Sequence, residues 1–80
     1  MKKHIDITYF AILRERTGLS GERVETESVT ASDLYAELAG RHDLPDGARY
    51  KVAINDVFRD WSAPLEDGDR VVFIPPVAGG

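Results

Sequence analysis

The chain contains no cysteine, which removes a disulfide framework, thiolate metal ligation and a cysteine nucleophile together. Histidine is almost as scarce. His4 and His42 are the only two, and neither has a partner at metal-ligand spacing, so no metal site is expected. His4 reads as a surface residue at a strand start and His42 as a charge at a helix C-terminus. Long apolar runs are also missing. The stretch behind Met1-Lys2-Lys3-His4 is interrupted by Asp6 and Thr8 and then reaches Arg14-Glu15, too short and too polar for a signal sequence or a membrane span. The expected location is the cytoplasm, with no membrane partner. Basic charge is in deficit: ten Lys and Arg against fourteen Asp and Glu give a net charge of −4, the wrong sign for holding nucleic acid. No phosphate loop is present, because the internal glycines 18, 21, 40, 47 and 68 are dispersed. The serines at 20, 28, 32 and 62 lie in turn or cap contexts without a nucleophile motif. An independent enzyme is not expected from such a set.

What is there is one small domain. Eighty residues, 42 % of them hydrophobic, support a single modest core and no spare layer, so residues 1–80 are read as one unit. Ile5, Ile7 and Tyr9 alternate and predict a strand. Phe10 to Arg16 favours a short helix that Gly18 would close. Glu22–Glu27 reads as a polar strand anchored by Val24. Thr30 is a good N-cap, with Asp33 three residues on, and Val29 and Leu34 stand at hydrophobic-staple positions. Leu34, Tyr35, Leu38 and Ala39 form an apolar stripe at helical spacing, ended before Pro45. Tyr50–Ile54 and Val57–Arg59 flank Asn55-Asp56, the pattern of a hairpin. Glu66-Asp67-Asp69 reads as a solvated turn, and Val71–Ile74 as a strand buried on one face and partly covered on the other. The order predicts an α+β fold: a small mixed sheet with helices on one face.

The C-terminal segment carries the strongest functional signal. The last strand runs into Pro75-Pro76, which removes two ladder donors and stops pairing. Val77-Ala78-Gly79-Gly80 follow. Six residues from Pro75 reach roughly 20 Å when extended, and the two terminal glycines have no Cβ. The expectation is a slender, flexible tail over 77–80 that presents an α-carboxylate and can enter a channel too narrow for side chains.

Several segments together resemble the ubiquitin-like β-grasp sulfur carriers, and among them the small subunits of molybdopterin synthase. They are Tyr9-Phe10-Ala11-Ile12-Leu13-Arg14-Glu15 with Gly18, the helix opening at Thr30, Val52-Ala53-Ile54-Asn55, and above all Pro64-Leu65-Glu66-Asp67-Gly68-Asp69-Arg70-Val71 through Phe73 to Gly80. One departure is Ala78, where the family often has serine or threonine. The resemblance implies a β-grasp of about five strands. It further implies that Gly80, with Gly79 as the adjacent slender position, is adenylated by an ATP-dependent activating enzyme and converted to a thiocarboxylate. The tail would then enter the large synthase subunit, in a heterotetramer, and pass sulfur to cyclic pyranopterin monophosphate. On this reading the chain binds no cofactor of its own, ATP belongs to the activating enzyme, and the catalytic groups lie on the large subunit. Alternatives within the resemblance are a carrier for thiazole or cysteine synthesis, or a protein modifier conjugated through Gly80.

Alternation also predicts a docking surface. If Val71 and Phe73 face the core, Val72 and Ile74 face outward. Phe10, just past Tyr9, and Phe58, beside the Asn55-Asp56 turn, would join them. The patch of Phe10, Phe58, Val72 and Ile74 is expected to receive both protein partners.

Overall fold

Alternation dictates the first strand. In the computed structural model, which describes residues 2–76, β1 (Lys3–Tyr9) turns Ile5, Ile7 and Tyr9 into the core. Phe10 then starts α1 (Ala11–Thr17), whose one fully buried residue is Leu13 and whose end is capped by Gly18 at φ 74°, a left-handed conformation that glycine adopts without strain. The chain returns as β2 (Gly21–Thr26), pairing antiparallel with β1. Thr26 is buried beside Val24, so this strand has two inward anchors rather than the single one expected. Thr26 is accommodated because its hydroxyl donates to the Glu37 carboxylate.

The second helix, α2 (Ala31–His42), begins where the sequence signals it. Thr30 Oγ1 accepts from the Asp33 N–H at 3.2 Å, and Asp33 Oδ2 accepts from the Thr30 N–H at 3.3 Å, a reciprocal capping box. Ala31, Leu34, Tyr35 and Leu38 are buried against the sheet. Val29 is 61 % exposed, so the staple half of the expectation fails; the Val29 carbonyl instead accepts from the Leu65 N–H at 2.9 Å.

The remaining strands are β3 (Lys51–Ile54), β4 (Val57–Arg59) and β5 (Arg70–Ile74). Asn55 and Asp56 both take positive φ, 52° and 70°, as the two-residue turns that match strand twist require. The sheet order is β2-β1-β5-β3-β4, with β1 and β5 parallel and the other pairs antiparallel. The result is the expected α+β layer pair. Its core runs from Ile5, Ile7 and Tyr9 through Val71 and Phe73 to Val52 and Ile54, with Tyr35 and Trp61 meeting Phe73 edge-on and stacked, respectively.

The acidic turn does more than face solvent. Asp67 Oδ1 accepts from the His4 N–H at 2.7 Å, and the Gly68 N–H donates to the His4 carbonyl at 2.8 Å. Asp69, nearly buried, accepts from Asn55 Nδ2 at 2.9 Å and from the Glu66 N–H at 2.8 Å. One turn therefore ties the start of β1 to the hairpin and sets the register with which β5 enters the sheet.

Candidate functional site

The two helices cover one face of the sheet, and the opposite face is bare. Register places its side chains in rows. Thr8 stands beside Val72, Val72 beside Ala53, and Ala53 beside Phe58. Ala53 is buried on this open side because Phe58 and Val72 flank it, while Phe58 is 68 % exposed. One row further on, Ile74 lies opposite Lys51. The same step along β1, beyond the Tyr9–Phe73 pair, reaches the level of Phe10, which is 49 % exposed.

The four expected patch residues thus share the outer side of one end of the sheet. Val72 and Ile74 are half-buried and the two phenylalanines exposed. Neither phenylalanine belongs to the core. Ala53 and Thr8 also belong to this surface. The local sequence shows them only as alternating strand residues; the cross-strand register brings them into the row.

A polar row borders the apolar one. Arg23 Nε donates to Asp6 Oδ1 at 2.8 Å, Asp6 faces Arg70 in register, and Arg70 Nη2 reaches Asp56 Oδ2 at 3.2 Å. The Arg23 hydrogen bond holds the Asp6 carboxyl below its ordinary range. These charges satisfy one another, so the apolar row is rimmed by a self-neutralised stripe.

At the tail end of the sheet, on the helix side, Glu22 accepts from the Tyr9 hydroxyl at 2.6 Å and lies 2.7 Å from His42 Nε2. Tyr9 and His42 also meet edge-on, with ring centroids 6.1 Å apart. Burial and the Glu22 carboxylate push the Tyr9 hydroxyl well above its ordinary range. Burial raises Glu22, but the hydrogen bonds from Tyr9 and His42 outweigh it and leave that carboxyl lowered. His42, expected as a helix-end charge, therefore joins α2 to β1 and β2. His4, by contrast, is the exposed strand-start residue expected, with Glu25 and Asp67 around its ring. Among the described residues no cluster of His, Asp and Glu has the makings of a metal site. No described helix is long and apolar enough to cross a membrane.

Pairing of β5 ends at Ile74, where the two prolines begin, as expected. Pro75 is half-buried and Pro76 exposed. Gly79 and Gly80 lie outside the described residues. The segment that leads to them departs between Phe10 and Lys51, at the margin of the exposed apolar rows.

The chain matches the ThiS family over residues 7–80. It is 35 % identical over 81 residues to the molybdopterin synthase sulfur carrier subunit of Escherichia coli K12, covering 95 % of this chain and 99 % of that protein. Among solved structures it is similar to small archaeal modifier protein 1 of Haloferax volcanii, with TM-score 0.79 at 25 % identity, covering 96 % of this chain and 99 % of the other. It is also similar to a chain in the protein–protein complex of subunits 1 and 2 of the molybdopterin-converting factor from Helicobacter pylori 26695. There the TM-score is 0.63 at 27 % identity, and both chains are covered in full. The five-stranded sheet with its two helices is a ubiquitin-like β-grasp.

Proposed function

The chain belongs to the ThiS family, and we propose that it is the sulfur-carrier subunit of molybdopterin synthase. The observation that carries this reading is the end-to-end similarity to the Escherichia coli carrier subunit. A proline-stopped last strand beside an uncovered apolar surface adds physical support.

The chemistry follows from the terminus. An α-carboxylate with a pKa of about 3.5 is anionic at neutral pH and a poor electrophile. It must be activated before sulfur can be attached. In the proposed cycle a Gly80 carboxylate oxygen attacks the α-phosphate of ATP on the activating enzyme, and pyrophosphate leaves. Sulfide released by the sulfur source then attacks the acyl carbon, the acyl–phosphate bond breaks, AMP leaves, and a thiocarboxylate remains. That group is a soft nucleophile, as a thiolate is. Since the chain has no cysteine, sulfur cannot ride on a cysteine side chain here and is carried on the terminus. The large synthase subunit would take in the slender Gly79-Gly80 end and supply the catalytic groups. Sulfur would pass there to cyclic pyranopterin monophosphate, two transfers building the dithiolene. This chain is then a recycled co-substrate with no cofactor of its own.

The docking of both partners is assigned to Phe10, Phe58, Val72 and Ile74, with Ala53 as the floor between the strands. Fully desolvated aromatic anchors at the centre of such a patch supply most of the binding energy. The rim of paired charges would fix orientation more than affinity.

Similarity to an archaeal modifier protein favours one second reading, conjugation of Gly80 to target lysines. Reconstitution separates the two. The thiocarboxylated chain, mixed with the large subunit and the pterin precursor, should yield molybdopterin in proportion to the carrier added. Absence of product with a large subunit proven active on another carrier, together with isopeptide-linked forms in cells, would replace the carrier reading by the modifier one.

A further inference from the structure

Left-handed backbone is confined to a few positions. Among the described residues, positive φ occurs at Gly18, Gly68, Asp43, Asn55, Asp56 and Ala11. Glycine has no Cβ to clash, and Asn and Asp visit this region because their short polar side chains can hydrogen-bond locally. Ala11, at φ 49°, is the exception. Its Cβ crowds the neighbouring carbonyl, a cost that glycine avoids. Burial of the methyl does not offset that cost, because Ala11 is exposed.

The strain is held by the neighbours on either side. Tyr9 is buried, and its N–H donates to the Ser20 carbonyl at 2.9 Å. Leu13 is fully buried, and its N–H donates to the Phe10 carbonyl at 3.0 Å. That bond closes a turn over residues 10–13 in which positive φ falls on the second residue alone. This is the sign pattern of a type II′ turn, where glycine is the usual occupant.

Phe10 lies between the two buried anchors and is displayed by them. It remains extended, at φ −121° and ψ 154°, so alternation carries its side chain to the face opposite Tyr9. Tyr9 stands beside Phe73 in the parallel β1–β5 ladder, and the next step brings Phe10 to the level of Ile74, the last paired residue before Pro75. α1 begins directly afterwards and buries Leu13 on the helix side of the sheet. The left-handed residue makes that crossing in a single step.

We propose that Ala11 is a positioning residue: its left-handed backbone fixes Phe10 on the open face, at the root of the tail, before any partner arrives. This rests on the docking surface of the carrier reading and adds to it the backbone device that sets one anchor in place. The left-handed region open to alanine is small, which leaves the segment one conformation between its anchors. Glycine would have several. An aromatic ordered in advance loses less freedom when the large subunit covers it.

The test is Ala11→Gly in the full chain, assayed with the large subunit of the same organism. Glycine relieves the strain, so the unfolding midpoint should stay at or above that of wild type. Affinity should nevertheless fall about three- to tenfold, the range for newly ordering one side chain on binding. The backbone order parameter of Phe10 in the free chain should fall as well. Phe10→Ala alone should weaken binding, and adding Ala11→Gly to it should lose no further affinity. A purely structural role would move the midpoint and not this coupling. Unchanged affinity in Ala11→Gly, or the same loss when Phe10 is already replaced, would overturn the proposal. A midpoint lowered as by glycine in an ordinary helix would overturn it too, since no strain would then be present. If Phe10→Ala binds as tightly as wild type, the docking surface loses Phe10 and the proposal falls, while the carrier reading stands. If the wild-type chain binds no large subunit and gives no product, the carrier reading falls and the proposal falls with it.

Discussion

Val72 and Phe58 flank Ala53 from opposite sides, one across the β5–β3 ladder and the other across the β3–β4 ladder. This buries Ala53 on the side of the sheet that no helix covers. Three strands thereby contribute to one apolar strip that the protein itself leaves open, next to the point where β5 gives way to proline. A solvent-facing row in an antiparallel hairpin is ordinarily polar. The departure has a functional explanation if a partner covers it.

Substituting Phe58 tests that explanation. Phe58→Asp removes an exposed aromatic and should change stability by no more than about 1 kcal/mol, the range of exposed strand positions. Binding to the large subunit should weaken by about 2 kcal/mol or more, roughly thirtyfold, if Phe58 anchors the interface. Calorimetric titration together with thermal unfolding distinguishes the two effects. Unfolding of the variant would place Phe58 in the core and refute the patch.

A pair of glycines gives opposite expectations. A Cβ on Gly21 would lie 2.6 Å from the Ile7 carbonyl oxygen, with backbone on the receiving side. Gly21→Ala should therefore cost about 1–3 kcal/mol as β1 and β2 are forced apart. Gly40, in α2, has nothing within 4 Å of such a Cβ. Gly40→Ala should stabilise by about 0.5–1 kcal/mol through helix propensity. Urea denaturation of both variants reads the contrast, and equal effects would contradict the close strand approach.

Acid should loosen the junction of β1, β2 and α2. Glu22 is lowered from its ordinary value of 4.5, so the unfolded chain binds its proton more readily than the folded one. Its contribution to stability is present above about pH 4.5 and is lost as pH falls through the lower folded value. Asp6, held down by Arg23, and Asp67, held down by the His4 N–H, act with the same sign from an ordinary 3.8, with solvent screening their shares. Glu22→Gln keeps an acceptor for the Tyr9 hydroxyl but cannot titrate. Its stability should fall less than that of wild type between pH 6 and 3, as measured by urea midpoints. An identical pH dependence would show that the carboxylate contributes nothing there.

Much of this was legible in the residues because local and global signals agree. Thr30 with Asp33, Asn55-Asp56 between two apolar runs, and Gly18 after a short helical stretch each require one backbone geometry, and the fold uses all three. The outward placement of Val72 and Ile74 followed from strand alternation alone. What local pattern could not supply was partnership across the chain. Glu22 and His42 look like two surface charges until strand pairing and the length of α2 bring them to 2.7 Å. Thr26 looks like solvent-facing polarity until Glu37 arrives from the helix. Ala53 looks like an interior strand residue, whereas its burial comes from two neighbours on the open face. Val29 does not act as a staple: its side chain stays exposed while its carbonyl accepts from the Leu65 N–H, a contact with no trace in the sequence around it.

The central claim is that sulfur travels on Gly80, and intact mass of the chain tests it most directly. After incubation with ATP, the activating enzyme and a sulfur source, the chain should gain the mass of one oxygen-to-sulfur exchange, located at the terminus by fragmentation. A chain shortened by Gly79 and Gly80 should fold with an unfolding midpoint close to wild type and show no exchange. Its end falls roughly 7 Å short and carries a Cβ at the reacting carboxyl. If the wild-type mass is unchanged with an activating enzyme proven active on another carrier, or if the shortened chain is thiolated equally well, the account of this protein as a sulfur carrier is wrong.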